Sequence, residues 1–362
     1  MRAAMTMSLP SDDDDEGVDF GLDSHLDADG KPRIVERHLI VPPELAGLRL
    51  DHFVKTQITR LSRTKIQTII DTQLRRVARS GSASTAEGGA EVSDGHAPKP
   101  ATIVAAGEHY VIRREARPEP PCPRTFGVVH DDARVLVVDK PAGLPVHASA
   151  KFYFNTLARV LAERYPDEPE LQLCHRLDRE TSGCLVVARD KAAAAYVKQA
   201  IADKRRTVKQ YLAIVHGQPP WDAEHELAAP LRLATEADGT KLVNVRVIAN
   251  DGGLAALTRV RVEQRCGDYA LVRCTLVTGR QHQIRAHLSH AGFPIVGDKL
   301  YAHGDAAFIE FCDEGLTPEL AELFVLPRHA LHAAKIVVPH PDGGEIAAEA
   351  PLPADMAGLI SA

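Results

Sequence analysis

The spacing of apolar positions changes along the chain, and each change marks an element. Between Arg49 and Val77 the spacing is helical. Leu50, Phe53 and Val54 share one face, and Ile66, Ile69 and Ile70 share another after the capping residue Ser62. His38-Leu39-Ile40-Val41 suits a first strand, and Thr102 to Ile112 resumes an extended pattern. Val135 to Val138 is apolar throughout, as in a strand buried on both faces, and Asn155 to Tyr165 and Lys191 to Arg205 read as helices. Tyr211 to Val215, Ala270 to Val277 and Ile336 to Val338 read as further strands. Strands and helices do not alternate with the rhythm of a doubly wound fold. The pattern predicts an α+β architecture with a mixed, largely antiparallel sheet, preceded by a small α/β module.

A chain of 362 residues with 44% hydrophobic content can bury two cores. Residues 1–37 lack periodicity and carry Asp12-Asp13-Asp14-Asp15-Glu16, so they are expected to form a disordered acidic tail. A module follows over 38–117, with a flexible Gly/Ser/Ala-rich insertion at 80–98. Arg117 to Pro123 reads as a proline-rich linker into a main domain over 118–355.

The formal net charge of −6 at first argues against a nucleic-acid partner. The tail alone, with ten acids and four bases, holds that whole excess. Residues 49–79 hold eight bases against Asp51 and Asp71. A basic segment beside an acidic tail fits a polyanion partner. Arg63 and Lys65 stand at the start of the second helix behind Ser62, a natural seat for phosphate. The six cysteines form no C-x-x-C pair and suggest neither a disulfide framework nor a zinc site. With no apolar leader and no membrane-length run, the chain reads as cytoplasmic.

Three segments carry candidate chemistry. In His175-Arg176-Leu177-Asp178-Arg179-Glu180-Thr181-Ser182-Gly183, one carboxylate lies between two arginines at a loop-to-strand junction, where it should stay ionised and face a ligand. In Lys209-Gln210-Tyr211-Leu212-Ala213, a tyrosine opens a strand behind a cation, which suits stacking under a base. In Thr278-Gly279-Arg280-Gln281-His282-Gln283-Ile284-Arg285-Ala286-His287-Leu288, Thr278 and Gln281 have capping-box spacing, so a helix should open at Gly279. Ile284, Leu288 and Ala291 form its buried stripe, and Arg285 beside them can hold a carboxylate. His282, His287 and His290 are spaced to spread around that helix and are not expected to form a metal site.

These segments resemble the motifs of the RluA family of pseudouridine synthases. Val138 to His147, Phe293 to Tyr301 and Arg328 to Ala333 extend the match, in order, over roughly residues 130–340. Leu48 to Ile70 resembles the alpha-L (S4-like) RNA-binding module. The resemblance implies an isomerase that converts uridine to pseudouridine in RNA by flipping out the base, without metal or cofactor. It implies Asp178 as nucleophile, Tyr211 as the active-site tyrosine and Arg285 as the partner of Asp178. Arg176, Arg179, Lys209, Arg280, His282, Arg63 and Lys65 are then candidates for contacting RNA. Ribosomal RNA of the large subunit is the favoured substrate, with transfer RNA as the alternative, and the protein is expected to act as a monomer. Two other readings are a non-catalytic RNA-binding assembly factor and a metal-dependent phosphodiesterase. The second needs clustered acidic ligands that the motifs do not provide.

Overall fold

A computed structural model of the chain describes residues 19–59, 61–77, 98–149, 151–203, 206–243, 246–249 and 252–361. It divides into two units. One is Asp23–Pro118, and the other joins the described part of Met1–Leu22 to Glu119–Ala362.

The smaller unit is built from β1 (Ile34–Ile40), α1 (Leu50–Gln57), α2 (Arg63–Thr72), β2 (Leu74–Arg76) and β3 (His109–Glu115). Its strands form an antiparallel sheet in the order β1-β3-β2. The helical stripes seen in the sequence, Leu50, Phe53 and Val54 with Ile66 and Ile70, are buried together with Leu39 and Tyr110. The Ser62 side chain caps α2 by accepting from the Lys65 N–H. β1 begins at Ile34, not at the expected His38, so the disordered tail does not extend to residue 37. Only Val35 and Leu39 of this strand are buried. Its register over the whole length of β3, with Glu36 bridging Arg113 at 2.8 Å, extends it where no apolar run announces it. The insertion expected at 80–98 lies outside the described residues, apart from Pro98.

The larger unit runs through β4 (Gly127–Asp131), β5 (Val135–Lys140), α3 (Leu157–Arg164), β6 (Gln172–Leu173), β7 (Ser182–Ala188), α4 (Lys191–Asp203) and β8 (Val208–His216). It continues with β9 (His225–Leu227), β10 (Leu231–Leu233), β11 (Val247–Ala249), β12 (Thr258–Cys266), β13 (Tyr269–Leu276) and α5 (Gln283–His290). It closes with α6 (Gly304–Glu314), α7 (Pro318–Phe324), β14 (Leu331–Pro339), β15 (Glu345–Glu349) and α8 (Ala354–Ile360). Ten strands form one sheet along the path β4-β5-β7-β14-β8-β13-β12-β9, with β15 on β14 and β6 on β7. Among the described residues the β7–β14 pairing is parallel and the other ladders of this sheet are antiparallel. This is the expected α+β fold. Met356 and Ile360 of α8 belong to its main core, so the boundary expected at residue 355 falls short.

The proline-rich segment is docked rather than free. Both carboxylate oxygens of Glu119 accept backbone N–H groups of Tyr153, Phe154 and Asn155 at 2.8–3.1 Å. Its Cys122 and Arg124 N–H groups donate to Phe20 and Asp19 of the chain's N-terminal part. Two glycines let backbone meet backbone at the sheet centre. Gly183 of β7 has φ 106°, and a Cβ there would stand 2.3 Å from the Ala333 carbonyl oxygen of β14. Gly297 has φ 75°, and a Cβ there would stand 2.0 Å from the Arg328 carbonyl oxygen. Gly183→Ala is expected to cost at least about 3 kcal/mol, because strained backbone and a backbone clash coincide. Urea unfolding of the variant checks this, and an unchanged midpoint would mean that β7 and β14 can part without loss.

Candidate active site

The parallel β7–β14 contact and the adjoining β8 place the three sequence segments side by side. His175 to Asp178 form the loop entering β7, Tyr211 lies on β8, and α5 follows β13, the neighbour of β8. Together they line a cleft of about 720 Å³. Asp178, Tyr211 and Arg285 all face it, as do Arg176, Lys209, Arg280 and His282. Arg179 does not. Its guanidinium lies 3.2 Å from Glu180 and 5.8 Å from the Phe152 ring. Arg63 and Lys65 belong to the other unit, where both are exposed and Arg63 reaches Asp51 at 3.5 Å.

The loop that carries Asp178 is held at each neighbour. His175 Nε2 accepts the Val186 N–H at 3.1 Å, and burial drives the ring's pKa down to about 3, so it stays neutral. Leu177 is buried in the main core. The Arg179 carbonyl accepts from Gly143 N–H and from the Lys140 ammonium. Lys140 is fully buried, and its remaining bonds go to the carbonyls of Pro141 and Leu144. Glu180 accepts twice from buried Lys299 and once from the His329 N–H, and Thr181 Oγ1 pairs with His329 Nε2 at 2.8 Å. The carboxylate of Asp178 is thus the free end of a fixed turn.

Arg285 spreads three nitrogens over two carboxylates. Nη1 donates to Asp178 Oδ2 at 2.9 Å, while Nε and Nη2 donate to Asp298 at 2.7 and 2.9 Å. Asp298 is fully buried, and its Oδ1 also accepts the N–H groups of Leu300 and Tyr301. Burial alone would push the Asp178 carboxyl up. The neighbouring groups, led by the charge of Arg285 together with its hydrogen bond, outweigh it and hold the group below the ordinary carboxylate value. The Tyr211 ring is buried in the main core, and its hydroxyl has no hydrogen-bond partner among the described residues. Burial, with Asp178 nearby, makes that hydroxyl a weaker acid than usual. Lys209 has no ion-pair partner among the described residues, and burial lowers its pKa to about 8. It remains mostly charged at neutral pH and is open to an anion.

The helix start is a correction. The expected capping box at Thr278 and Gln281 does not form, and α5 opens at Gln283 instead. Thr278 Oγ1 donates to Gln283 Oε1 and accepts the Leu257 N–H, so the hydroxyl serves the strand side of the turn. The intervening residues form a loop that faces the cleft with Arg280 and His282. His287 is a satisfied core residue, bonded to Thr258 Oγ1 and the Ala229 carbonyl. Among the described residues no group of three or more His, Cys, Asp or Glu is arranged to hold a metal, and no helix is long and apolar enough to cross a membrane. Sequence reasoning assigned no role to Asp298, Tyr301 or Lys140. The readable signal for Asp298 was a carboxylate at the end of the apolar turn Ile295-Val296-Gly297, where burial requires a cation.

Residues 134–290 match the family model described as RNA pseudouridylate synthase. The chain is 34% identical over 335 residues to the ribosomal large subunit pseudouridine synthase D of Xanthomonas campestris, covering 90% of this chain and 92% of that one. It is 33% identical over 313 residues to the ribosomal large subunit pseudouridine synthase C of Escherichia coli, covering 83% and 88%. Among solved structures, human RNA pseudouridylate synthase domain containing 4 is similar at a TM-score of 0.50 and 27% identity, covering 65% of this chain and 92% of that one.

Removing Asp298 leaves Arg285 buried with half its charge unanswered. Asp298→Ala is expected to lose about 3–5 kcal/mol of stability, read by chemical denaturation. A loss below about 1 kcal/mol would show that Asp178 alone can hold the guanidinium. The carboxylate of Asp178 has a folded pKa below its unfolded one. Its contribution is therefore present above the ordinary carboxylate pKa and fades as pH falls through the folded value. Asp178→Asn should make the acid limb of the stability–pH curve shallower, and an unchanged limb would contradict that assignment.

Proposed function

The chain belongs to the RluA family of RNA pseudouridine synthases, and we propose that it isomerises specific uridines of large-subunit ribosomal RNA, with Asp178 starting the reaction. One observation carries the assignment of roles: a carboxylate, held ionised by an arginine that a buried second carboxylate fixes in turn, faces a cleft beside a buried tyrosine. A cleft of about 720 Å³ has room for a flipped nucleotide. The choice of ribosomal RNA follows the names borne by the relatives.

In this reading the glycosidic bond to nitrogen 1 breaks, the uracil turns, and carbon 5 bonds to the ribose. Asp178 acts on the ribose, either as nucleophile or as base. Arg285 keeps it anionic and aimed, at no cost of reorganisation during the reaction. The Tyr211 ring forms the floor on which uracil lies. Lys209 and Arg280 receive phosphates around the flipped nucleotide, and Arg176 fills the gap that it leaves. The module over Asp23–Pro118, with Arg63 and Lys65 at the start of α2, adds a second hold on RNA. The enzyme works as a cytoplasmic monomer.

A pseudouridine map of total cellular RNA, with and without the gene, tests the reading. Loss of signal at discrete large-subunit positions, restored by the wild-type chain and not by Asp178→Asn, is the expected result. Loss at transfer RNA positions would replace the substrate, and an unchanged map would favour a non-catalytic assembly factor. In vitro, Asp178→Asn should reduce turnover by at least about a thousandfold with RNA affinity within about threefold, since phosphate contacts dominate binding.

A further inference from the structure

His282 stands at the cleft in a strained conformation. Its φ is 52°, in the left-handed region where a residue with a Cβ is uncommon. It occupies the N-cap of α5, yet its side chain caps nothing. The ring is instead held from behind. Nδ1 lies 3.1 Å from the Tyr301 hydroxyl oxygen, and that oxygen already accepts the Val247 N–H at 2.9 Å. The buried hydroxyl has one proton to donate, and His282 Nδ1 is its acceptor among the described residues. Nδ1 therefore accepts, and the ring proton sits on Nε2. Protonating Nδ1 would set two hydrogens against each other and leave the Tyr301 hydroxyl without an acceptor. Tyr301 also packs edge-on to His282, at 5.9 Å and 87°, and covers the Arg285 guanidinium at 5.0 Å. One side chain thus braces both groups.

The Nε2–H side of the ring lies 3.9 Å from Asp178 Oδ2, beyond hydrogen-bond reach. The charged groups around it are Asp178 and Arg176 from the loop before β7, Arg285 on α5, and Asp298 behind Arg285. Arg285 has committed Nε, Nη1 and Nη2 to those two carboxylates. Breaking the ribose C1′–N1 bond sends its electron pair to the base, and the charge spreads onto the uracil carbonyl oxygens. Bonding C5 to C1′ then expels the C5 proton, and N1 gains one, so the isomerisation balances with no co-reactant. The transient charge on the base needs a donor that is already in place.

We propose that His282 is this donor: a neutral Nε2–H, fixed by Tyr301, that hydrogen-bonds a carbonyl oxygen of the flipped uracil beside Asp178, with Tyr301 as its positioning residue. The proposal rests on the pseudouridine synthase reading of the cleft and deepens it. It also separates His282 from the cations of the rim, because a neutral imidazole adds little to phosphate binding.

The test measures single-turnover rates on a defined uridine-containing RNA from pH 5 to 9, with RNA affinity measured alongside, for the wild type, His282→Ala, His282→Gln and Tyr301→Phe. His282→Ala should slow the chemical step by about ten- to a hundredfold, with affinity within about threefold. His282→Gln, which keeps an amide N–H near the Nε2 position, should recover part of that loss. Tyr301→Phe frees the ring to carry its proton on Nδ1, so it should slow the chemical step by less than His282→Ala does, with affinity within about threefold, and should add little further loss in the His282→Ala background. Thermal melts of each variant report whether it folds, and His282→Gln against His282→Ala keeps the comparison internal if both are weakened alike. A His282→Ala enzyme with wild-type rate, or one that loses only affinity, overturns the proposal. A wild type inactive on every RNA would instead overturn the reading on which it rests.

Discussion

The Arg285 guanidinium joins the parts of this site, and most of what surrounds it follows from the need to bury it safely. A cation taken out of water is tolerable only when its donors are matched. Asp298 takes two of them with near-ideal fork geometry, and two backbone N–H groups fix Asp298 in turn. One nitrogen is left, and it is aimed at Asp178. The carboxylate facing the cleft is therefore held by a cation that has no freedom to wander, because its other side is anchored in the core. A surface arginine in the same position would confer neither direction nor a lasting shift in acidity.

The sheet supplies the other constraint. β7 and β14 run parallel where Gly183 meets Ala333, and the missing side chain at Gly183 lets the two backbones approach. β8 flanks β14 on the far side and carries Tyr211. The turn with Gly297 and Asp298 is tied to the same place, through the Val215–Ile295 bridge and the Ala330 N–H bonded to Val296. Residues far apart in the chain thus reach one spot through backbone contacts, which are less compliant than side-chain packing. Arg285 and Asp298 do not have to find each other, since the sheet delivers both.

Around this centre several buried polar groups are answered by partners of matching chemistry. Lys140 gives its ammonium to carbonyls, Lys299 binds Glu180, and His332 bridges Ser182 and the Ala350 carbonyl. Such networks add little net stability over an apolar core of the same shape, but they tolerate one arrangement only. Their place here is the turn on either side of Asp178. Rigidity is concentrated where a carboxylate must be aimed, while the exposed loop with Arg280 faces the cleft from the start of α5.

Much of the fold was legible because local pattern and tertiary role agree. The stripe of Ile284 and Leu288, the apolar run at Val135 and the helical spacing after Ser62 each bury the face that their period exposes. That Asp178, Tyr211 and Arg285 face one cleft was legible because their residue types sit in motif strings that have few alternatives. Where pattern failed, a distant partner had decided. Strand β1 extends back to Ile34 through pairing with β3, and α5 starts late because the Thr278 hydroxyl is drawn to Leu257 and Gln283. Asp298 and Tyr301 looked like ordinary members of a turn, and nothing local says that one holds a guanidinium and the other meets a histidine ring nitrogen. The sequence by itself determined which polar side chains are available to the cleft and which faces of the elements are buried, since those depend on residue type and near-neighbour spacing. Only the tertiary structure decided which carboxylate meets which cation, and at what angle, because that depends on strand order and on backbone contacts between segments more than a hundred residues apart.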